Sequence, residues 1–359
     1  MNYVDPPRLE GYHYSPSEAK EARDGGKILS IRLETSLACN LRCTYCCNSS
    51  GIASQNEMKY DELTNLVDQA KQLGAKSIVV IGGGEPTIYP QFRQLIQYIH
   101  AAGLVPVIFT NTQTMTIDLS KFLKANNTSV IIKLDSLDEE IQDRMVGVQG
   151  AHRNIMQGID NLQRAGYGDS TENPGSTKLG ASFVVNRQNA DGVPGTWRFC
   201  REKGMYPNLE MMTPNERAQN LGDELLTAKE WGRLKRKLLA VDQTEFGYTW
   251  LPHGPLVGCG CFQCLYNVYV TVHGDARPCS SIHINNPPNV RKSTLAEVIR
   301  HPFFARAREI DTHLNGKCGD CSHGDLCMGC RGMAFTDATL RGLAPLDALA
   351  AEDPSCDRE

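Results

Sequence analysis

Three cysteines near the start of the chain have the spacing of ligands for an iron–sulfur cluster. Cys39, Cys43 and Cys46 are separated by three and then by two residues. Thiolates at this spacing are soft ligands that select iron–sulfur clusters or zinc. Three of them would leave one iron of a four-iron cluster open to another ligand, whereas a zinc site would need a fourth side chain, either Cys47 or a histidine. Cys47 is poorly placed for that role because adjacent side chains point in different directions, so the spacing favours the cluster.

A second group of cysteines lies in the C-terminal part of the chain and is also spaced for metal binding. The chain has 14 cysteines in 359 residues and no apolar N-terminal signal, so we expect a cytoplasmic protein with reduced thiols. Grouped cysteines in that compartment indicate metal ligands. The pattern CxxC…CxxC from Cys318 to Cys330 is compatible with zinc, although its five-residue loop is short for a zinc ribbon. The nine cysteines of this group are Cys259, Cys261, Cys264, Cys279, Cys318, Cys321, Cys327, Cys330 and Cys356.

Composition and charge argue against two classes of function. The net charge is −4 and the pI is about 6.2, so no basic surface is expected to attract nucleic acid. The apolar runs have the length of strands and are too short to cross a bilayer, so we expect no membrane association. A hydrophobic content of 41% is typical of a globular protein with a buried core.

The middle of the chain alternates short β-branched runs with amphipathic segments. The repeating order of the two predicts parallel strands joined by right-handed crossovers, an α/β fold. The apolar residues of the amphipathic segments recur at helical spacing, which predicts helices over 60–73, 91–102, 155–165 and 194–203. Strands are predicted over 28–33, 77–81, 105–110, 129–134, 179–185 and 208–212.

The two motifs richest in chemistry follow successive strands. The first cysteine motif follows the first predicted strand, and the glycine-rich segment 82–86 follows the second. In parallel α/β barrels the functional loops gather at the C-terminal ends of the strands, so we expect both motifs at one mouth. We expect an N-terminal extension (1–27), a barrel (28–240) and a small cysteine-rich domain (241–359).

The first cysteine motif resembles the CxxxCxφC signature of the radical S-adenosylmethionine superfamily, with Tyr45 directly before Cys46. The resemblance implies a partial (β/α)6 parallel barrel in which Cys39, Cys43 and Cys46 hold a catalytic 4Fe–4S cluster. It further implies that S-adenosylmethionine occupies the open position on that cluster.

Several later positions resemble the cofactor-binding positions of the same superfamily. The matching residues are Gly83, Gly84, Glu85, Asn111, Ser136 and Arg144. The first three resemble the GGE loop, where glycine lets the backbone approach the methionine ammonium group closely. Asn111 resembles the TNG segment, although Thr112 replaces its glycine. The last two resemble a segment that contacts ribose and carboxylate, but a helix cap and a surface arginine would explain them equally well.

The C-terminal cysteines resemble the SPASM domain, whose pattern is Cx9–15Gx4C, then Cx2Cx5Cx3C, then a final cysteine. One spacing differs, because two residues rather than three separate Cys327 from Cys330. The resemblance implies two auxiliary 4Fe–4S clusters. The first would be held by Cys264, Cys279, Cys330 and an upstream cysteine. That upstream ligand is Cys259 or Cys261, and the usual offset of the family favours Cys259. The second would be held by Cys318, Cys321, Cys327 and Cys356.

The resemblance implies a radical oxidoreductase that uses S-adenosylmethionine and three 4Fe–4S clusters. An electron from a flavodoxin- or ferredoxin-type donor would cleave the cofactor, and the resulting 5′-deoxyadenosyl radical would abstract hydrogen from a C–H bond. The auxiliary clusters would accept an electron from the substrate radical, which gives dehydrogenation or oxidative bond formation. Ser280 stands where the sulfatase-maturing branch has an aspartate base, so we expect a different small-molecule or peptide substrate.

Two other functions remain open at the level of sequence. In a redox-neutral epimerase, a thiol without a cluster would return a hydrogen atom to the substrate. The candidates are Cys47, Cys200 and whichever of Cys259 and Cys261 is not a cluster ligand. The helical spacing around Cys200 favours a buried structural thiol instead. A non-catalytic electron-relay protein would keep the clusters but would not need the cofactor-binding positions, whose presence favours the enzyme. A zinc protein that binds nucleic acid is disfavoured by the acidic net charge.

Overall fold

The computed structural model describes residues 4–169, 175–250 and 261–358, and its main feature is an eight-stranded sheet. The six strands predicted from the sequence lie side by side in chain order and are all parallel. The prediction of a parallel α/β fold is therefore confirmed. The strands of the described ranges are β1 (Arg8–Leu9), β2 (Ser30–Ser36), β3 (Ser77–Gly83), β4 (Val105–Thr110), β5 (Ser129–Lys133), β6 (Ser176–Thr177), β7 (Leu179–Val185), β8 (Tyr206–Met211), β9 (Asn267–Val270) and β10 (Ala276–Arg277).

Helices alternate with these strands and cover one face of the sheet. Six of them, at 60–72, 92–101, 117–125, 151–164, 193–202 and 228–241, bury an apolar stripe in the main core, as helical spacing predicts. The helix predicted to begin at residue 155 begins earlier, at Ala151, because Asp143 accepts hydrogen bonds from the backbone N–H groups of Gly150 and His152. The helices are α1 (Pro16–Asp24), α2 (Tyr60–Gln72), α3 (Phe92–Ala101), α4 (Ile117–Ala125), α5 (Glu139–Val146), α6 (Ala151–Arg164), α7 (Val193–Glu202), α8 (Ala228–Val241), α9 (Gln263–Tyr266), α10 (Leu295–Val298), α11 (Pro302–Arg308), α12 (Gly316–Gly319), α13 (Arg331–Leu340) and α14 (Pro345–Ala350).

The opposite, inner face of the sheet is closed at its lower end by the N-terminal segment. The side chains of β2 alternate, so that Ile31 and Leu33 pack in the helix-covered core while Arg32 lies on the inner face. Leu9 and Tyr12 pack there against apolar side chains of β3, β4 and β5. The N-terminal extension thus forms a floor beneath the inner face.

The C-terminal part of the chain extends the same sheet. β9 pairs in parallel with β2, and β10 pairs antiparallel with β9. Behind them, α9, α11, α13 and α14 share a hydrophobic cluster with α1. The predicted domain boundary between residues 240 and 241 falls at the end of α8 and stays a prediction. Within the described ranges, no helix has the length and apolar content needed to cross a membrane.

Candidate active site

One cavity of about 290 Å³ lies on the inner face of the sheet. Each of the six parallel strands contributes to its wall, so the strands at the two ends of this set face the same space. The sheet is therefore curled into the partial barrel that the sequence predicts. The residues of these six strands that line the cavity are Arg32, Ile81, Gly83, Phe109, Thr110, Ile131, Lys133, Ser182, Val184, Glu210 and Met211.

The first cysteine motif lies at the mouth of this barrel, directly after β2. Cys39, Cys43 and Cys46 all line the cavity. The loop that carries them is held from behind by Arg217, whose guanidinium donates to the carbonyl oxygens of Cys43 at 2.9 Å and Ser50 at 2.6 Å. Burial, together with a nearby aspartate, raises the pKa of Cys43 to about 12. The free thiol is therefore protonated at neutral pH, and metal binding there must release a proton.

The glycine-rich loop after β3 packs directly against the cysteine loop. The backbone N–H of Gly84 donates to the carbonyl of Ser36 at 2.7 Å, and that of Glu85 donates to Ala38 at 2.8 Å. A Cβ atom on Gly84 would lie 2.0 Å from the Ala38 carbonyl oxygen, so no larger residue fits this approach. The loop therefore shapes the wall of the cavity beside Cys39.

The Glu85 side chain fastens this loop to the next strand. Its buried carboxylate accepts a hydrogen bond from the Asn111 backbone N–H at 2.7 Å and another from the Thr110 hydroxyl at 2.8 Å. The Asn111 side chain in turn donates to Asn40 at 2.7 Å. The structure thus brings three motifs predicted from separate parts of the sequence into one hydrogen-bonded wall.

Tyr45 belongs to a buried polar cluster on the far side of the cysteine motif. Its hydroxyl donates to Asp135, which also accepts from Lys133 at 2.9 Å and from the Val184 backbone N–H at 2.8 Å. Burial raises the pKa of Tyr45, and the neighbouring carboxylate raises it further. Burial lowers the pKa of Lys133, but Asp135 and Glu210 outweigh this effect and the net shift is upward. The cluster therefore holds a neutral tyrosine beside a charged lysine.

Two predicted cofactor contacts, Ser136 and Arg144, do not line the cavity. The Ser136 hydroxyl accepts from the Asp138 backbone N–H at 3.1 Å, in the turn before α5. Arg144 lies in the last turn of α5 and donates to Gln188 at 3.2 Å on an exposed surface. In this structure both residues support α5, and their contact with a cofactor stays a prediction.

Four of the C-terminal cysteines line the same cavity as the first motif. They are Cys261, Cys264, Cys279 and Cys330. Burial raises the pKa of Cys264, and the nearby Cys279 and Cys261 raise it further. Burial also raises the pKa of Cys261, to about 11. Three predicted ligands of the first auxiliary cluster therefore lie together with Cys261, while Cys259 lies outside the described residues.

The remaining predicted ligands lie away from the cavity. The Cys318 sulfur accepts from the Asp353 backbone N–H at 3.3 Å and from Arg331 at 3.6 Å. Burial raises the pKa of Cys318, and Cys356 is among the neighbours that add to this shift. The Cys327 sulfur accepts from the Gly329 backbone N–H at 3.3 Å. Cys321 completes the set that the sequence predicts for a second auxiliary cluster, and that ligand set stays a prediction.

Within the described ranges, no three His, Cys, Asp or Glu side chains lie close enough together to hold one metal ion. The cysteine ligands of a four-iron cluster each bind a different iron, so they stand farther apart than the ligands of a single ion. The cysteine thiols that line the cavity fit such clusters, because they are soft ligands spread around one space.

Sequence reasoning missed several polar residues that the barrel places on the cavity wall. Arg32 and Glu210 lie inside strands that read as apolar runs, and Cys47 was set aside as a poor ligand. Arg32 and Glu210 could have been identified from the sequence, because polar residues recur at every second position of their strands. Cys200 is fully buried in α7, away from the cavity, as its helical spacing predicts.

Comparisons with known proteins agree with this geometry. A family model of the Radical SAM superfamily matches residues 33–174. The AdoMet-dependent heme synthase of Oleidesulfovibrio alaskensis is 25% identical over 361 residues, which cover 91% of this chain and 86% of that protein. The mycofactocin maturase MftC of Mycolicibacterium smegmatis is 27% identical over 351 residues, covering 91% of this chain and 82% of that one.

The fold is also similar to that of a solved structure. SuiB of Streptococcus suis, crystallised with S-adenosylmethionine, superposes with a TM-score of 0.70 at 18% sequence identity. The match covers 93% of this chain and 78% of SuiB. SuiB has also been crystallised with its precursor peptide SuiA.

Proposed function

Because this chain belongs to the radical S-adenosylmethionine superfamily, we propose that it reductively cleaves S-adenosylmethionine and removes a hydrogen atom from a substrate C–H bond. One observation carries the proposal. The three cysteines of the first motif, the glycine-rich loop and four C-terminal cysteines all line a single cavity. Cofactor, clusters and substrate would therefore meet in one enclosed space.

The first motif provides the ligands for the cofactor-binding cluster. Cys39, Cys43 and Cys46 point into the cavity, while Arg217 holds the loop through its backbone carbonyls. When bound, the cluster and S-adenosylmethionine supply the electron transfer and the 5′-deoxyadenosyl radical. The protein contributes three thiolates and leaves the fourth iron position to the cofactor.

The glycine-rich loop and its neighbours position the cofactor. Gly83 and Gly84 leave room for its methionine part beside Cys39, and Glu85 keeps the loop in register with Asn111. The buried Tyr45 hydroxyl, bonded to Asp135, closes the wall without exposing an unpaired polar group. These residues orient the cofactor and exclude water, which protects a reactive radical from side reactions.

The C-terminal cysteines support a net oxidation. Cys261, Cys264, Cys279 and Cys330 would place one auxiliary 4Fe–4S cluster on the cavity wall, where it can take an electron from a substrate radical. Cys318, Cys321, Cys327 and Cys356 would hold a second cluster farther from the cavity. A flavodoxin- or ferredoxin-type protein would supply the electron for cofactor cleavage. The substrate would be a small molecule or part of a peptide, as in SuiB, whose crystal structure contains a precursor peptide.

The close packing of Gly84 in the glycine-rich loop against the Ala38 carbonyl leads to a direct prediction. We expect Gly84→Ala to lower the rate of S-adenosylmethionine cleavage about 100-fold, because the added methyl group would displace the loop by roughly 1 Å. Iron content should stay unchanged. Gly195→Ala is the matched control, since nothing lies within 4 Å of its Cβ position in α7. Equal rates of 5′-deoxyadenosine formation in both variants would contradict the proposed role of the loop.

A second candidate function is supported by the position of Cys47. Its thiol lines the cavity, and burial raises its pKa, so the S–H bond stays intact at neutral pH. The thiol could return a hydrogen atom to a substrate radical on the opposite face, which inverts a stereocentre. The thiyl radical left on Cys47 would then need one electron and one proton from the reducing system. Solvent deuterium in the product, lost in Cys47→Ala, would favour this epimerase over the oxidase.

The first test of the proposed function needs no substrate. The anaerobically reconstituted chain is incubated with S-adenosylmethionine and dithionite, and 5′-deoxyadenosine is measured by mass spectrometry. We expect the product to accumulate with both reagents present and to be absent without dithionite. A loaded protein that forms no 5′-deoxyadenosine would contradict the proposal.

A further inference from the structure

Arg32 places a buried positive charge deep in the barrel. The residue is only 7% exposed, and its side chain lines the cavity from the middle of β2. Its guanidinium carbon lies 5.0 Å from the centre of the Tyr12 ring, on the floor of the barrel. β2 ends at Ser36, four residues beyond Arg32 and roughly 13 Å along the strand, and the first cysteine motif begins three residues later at Cys39. Arg32 therefore lies towards the floor of the cavity, below the cysteine motif.

In the described ranges, Arg32 has no hydrogen bond or ion pair with a protein side chain or carbonyl, and its ring contact is with Tyr12. The other cations on the cavity wall are all engaged. Lys133 is paired with Asp135 at 2.9 Å, and Arg217 donates to two backbone carbonyls. Arg331 also donates to backbone carbonyls, at 2.6 and 3.2 Å. Among the described cations on the cavity wall, Arg32 is therefore the one whose N–H groups remain available to a ligand.

A buried guanidinium without a partner is costly for the folded protein. Arginine cannot neutralise itself by losing its proton. The N–H groups of Arg32 are not among the fully buried polar atoms that lack a partner in the described residues, so they open onto the cavity. The floor beneath is formed by Leu9, Tyr12 and apolar residues of the neighbouring strands, and two of the proposed cluster ligands, Cys261 and Cys279, also lie near Arg32. A guanidinium that faces a cavity without a protein acceptor is placed to bind an anionic group there.

We infer that Arg32 binds a carboxylate group of the substrate, which makes this chain an enzyme for a carboxylate-bearing molecule. The inference rests on the proposed function, since it places the substrate in the same cavity. The planar fork of a guanidinium matches a carboxylate through two parallel hydrogen bonds. A phosphate group fits the wall less well, because a second negative charge would find no second open cation, and Glu210 already lines the cavity.

The test uses propionate as the probe and propionamide as its uncharged counterpart. The melting temperature of the reconstituted protein with S-adenosylmethionine is measured at constant ionic strength. We expect 100 mM propionate to raise it by about 2–4 °C and propionamide to leave it unchanged. Arg32→Met should lose the rise, and Arg32→Lys, which keeps the charge without the fork, should lose at least half of it. The control is Arg308→Met, because Arg308 is equally buried but lies on α11, away from the cavity.

Two results would overturn the inference. The first is an equal propionate effect in Arg32→Met and in the wild-type chain. A shifted midpoint potential of an auxiliary cluster in Arg32→Met, found together with that first result, would show that Arg32 acts on the cluster instead, since Cys261 and Cys279 also lie near Arg32. The second is inorganic phosphate stabilising the wild-type chain more than propionate does. If the wild-type chain formed no 5′-deoxyadenosine, the proposed function would be contradicted instead. A failure of the carboxylate inference is therefore distinguishable from a failure of the proposed function.

Discussion

Cys43→Ala is expected to lower 5′-deoxyadenosine formation at least about 10³-fold, which corresponds to about 4 kcal/mol of activation free energy. The effect is large because two thiolates cannot retain a cluster that needs three from the protein. The backbone carbonyl of Cys43 accepts a hydrogen bond from the Arg217 guanidinium at 2.9 Å, which holds this part of the loop in place. The measurement is the rate of product formation with dithionite, together with iron per chain, which should fall by about four.

Cys200→Ala is the matched control for this variant. Cys200 is fully buried in α7 and does not line the cavity, so its removal should cost some stability but no iron. Its rate of S-adenosylmethionine cleavage should equal that of the wild-type chain. Iron retained in Cys43→Ala with normal product formation would contradict the ligand assignment of the first motif.

The parallel strands and the first motif could be predicted because their signals are local. Each parallel strand is a short apolar run, since both faces are buried, and each predicted strand is found with small shifts at its ends. The placement of the cysteine and glycine-rich motifs follows from one rule, that loops after parallel strands meet at one mouth. Glu85 and Asn111, 26 residues apart in the chain, share a hydrogen bond for that reason.

The sheet extension could not be predicted because its signal is not local. β9 has only four residues, and its partner β2 lies more than 230 residues earlier in the chain. Nothing in such a short run indicates which edge it pairs with. The same limit applies to Arg32, since its importance depends on the strands that surround it. A polar residue in an apolar run becomes informative only when the neighbouring strands are known to leave it without a partner.

Ser136 shows why a motif resemblance alone does not assign a cofactor contact. Its hydroxyl is used in the turn before α5, and Gln142 accepts hydrogen bonds from the backbone N–H groups of Asp135 and Ser136. Polar residues are common at helix starts because they satisfy free N–H groups there. A motif with a short polar residue followed by a helix therefore cannot separate a capping role from a cofactor contact.

Cys261→Ala is expected to lower iron by about four per chain, while Cys259→Ala leaves the iron content unchanged. The family offset favours Cys259 as the upstream ligand of the first auxiliary cluster. The structure places Cys261 on the cavity wall with Cys264, Cys279 and Cys330. Cys261 lies two residues after the position that the family spacing favours. It can still serve as the upstream ligand, because it directly precedes the segment that leads into α9.

The pair of variants distinguishes the two cysteines because each removes one thiol from the same short segment. Both chains are reconstituted anaerobically, and iron and acid-labile sulfide are measured beside the wild-type protein, which should contain about twelve of each. The first motif is untouched in either variant, so formation of 5′-deoxyadenosine without substrate should persist and show that the barrel is intact. A loss of iron in Cys259→Ala alone would show that Cys259 is the upstream ligand, as the family spacing favours. Cys261 would then be a thiol on the cavity wall that binds no cluster. In that case Cys261 would join Cys47 as a candidate hydrogen-atom donor for the epimerase.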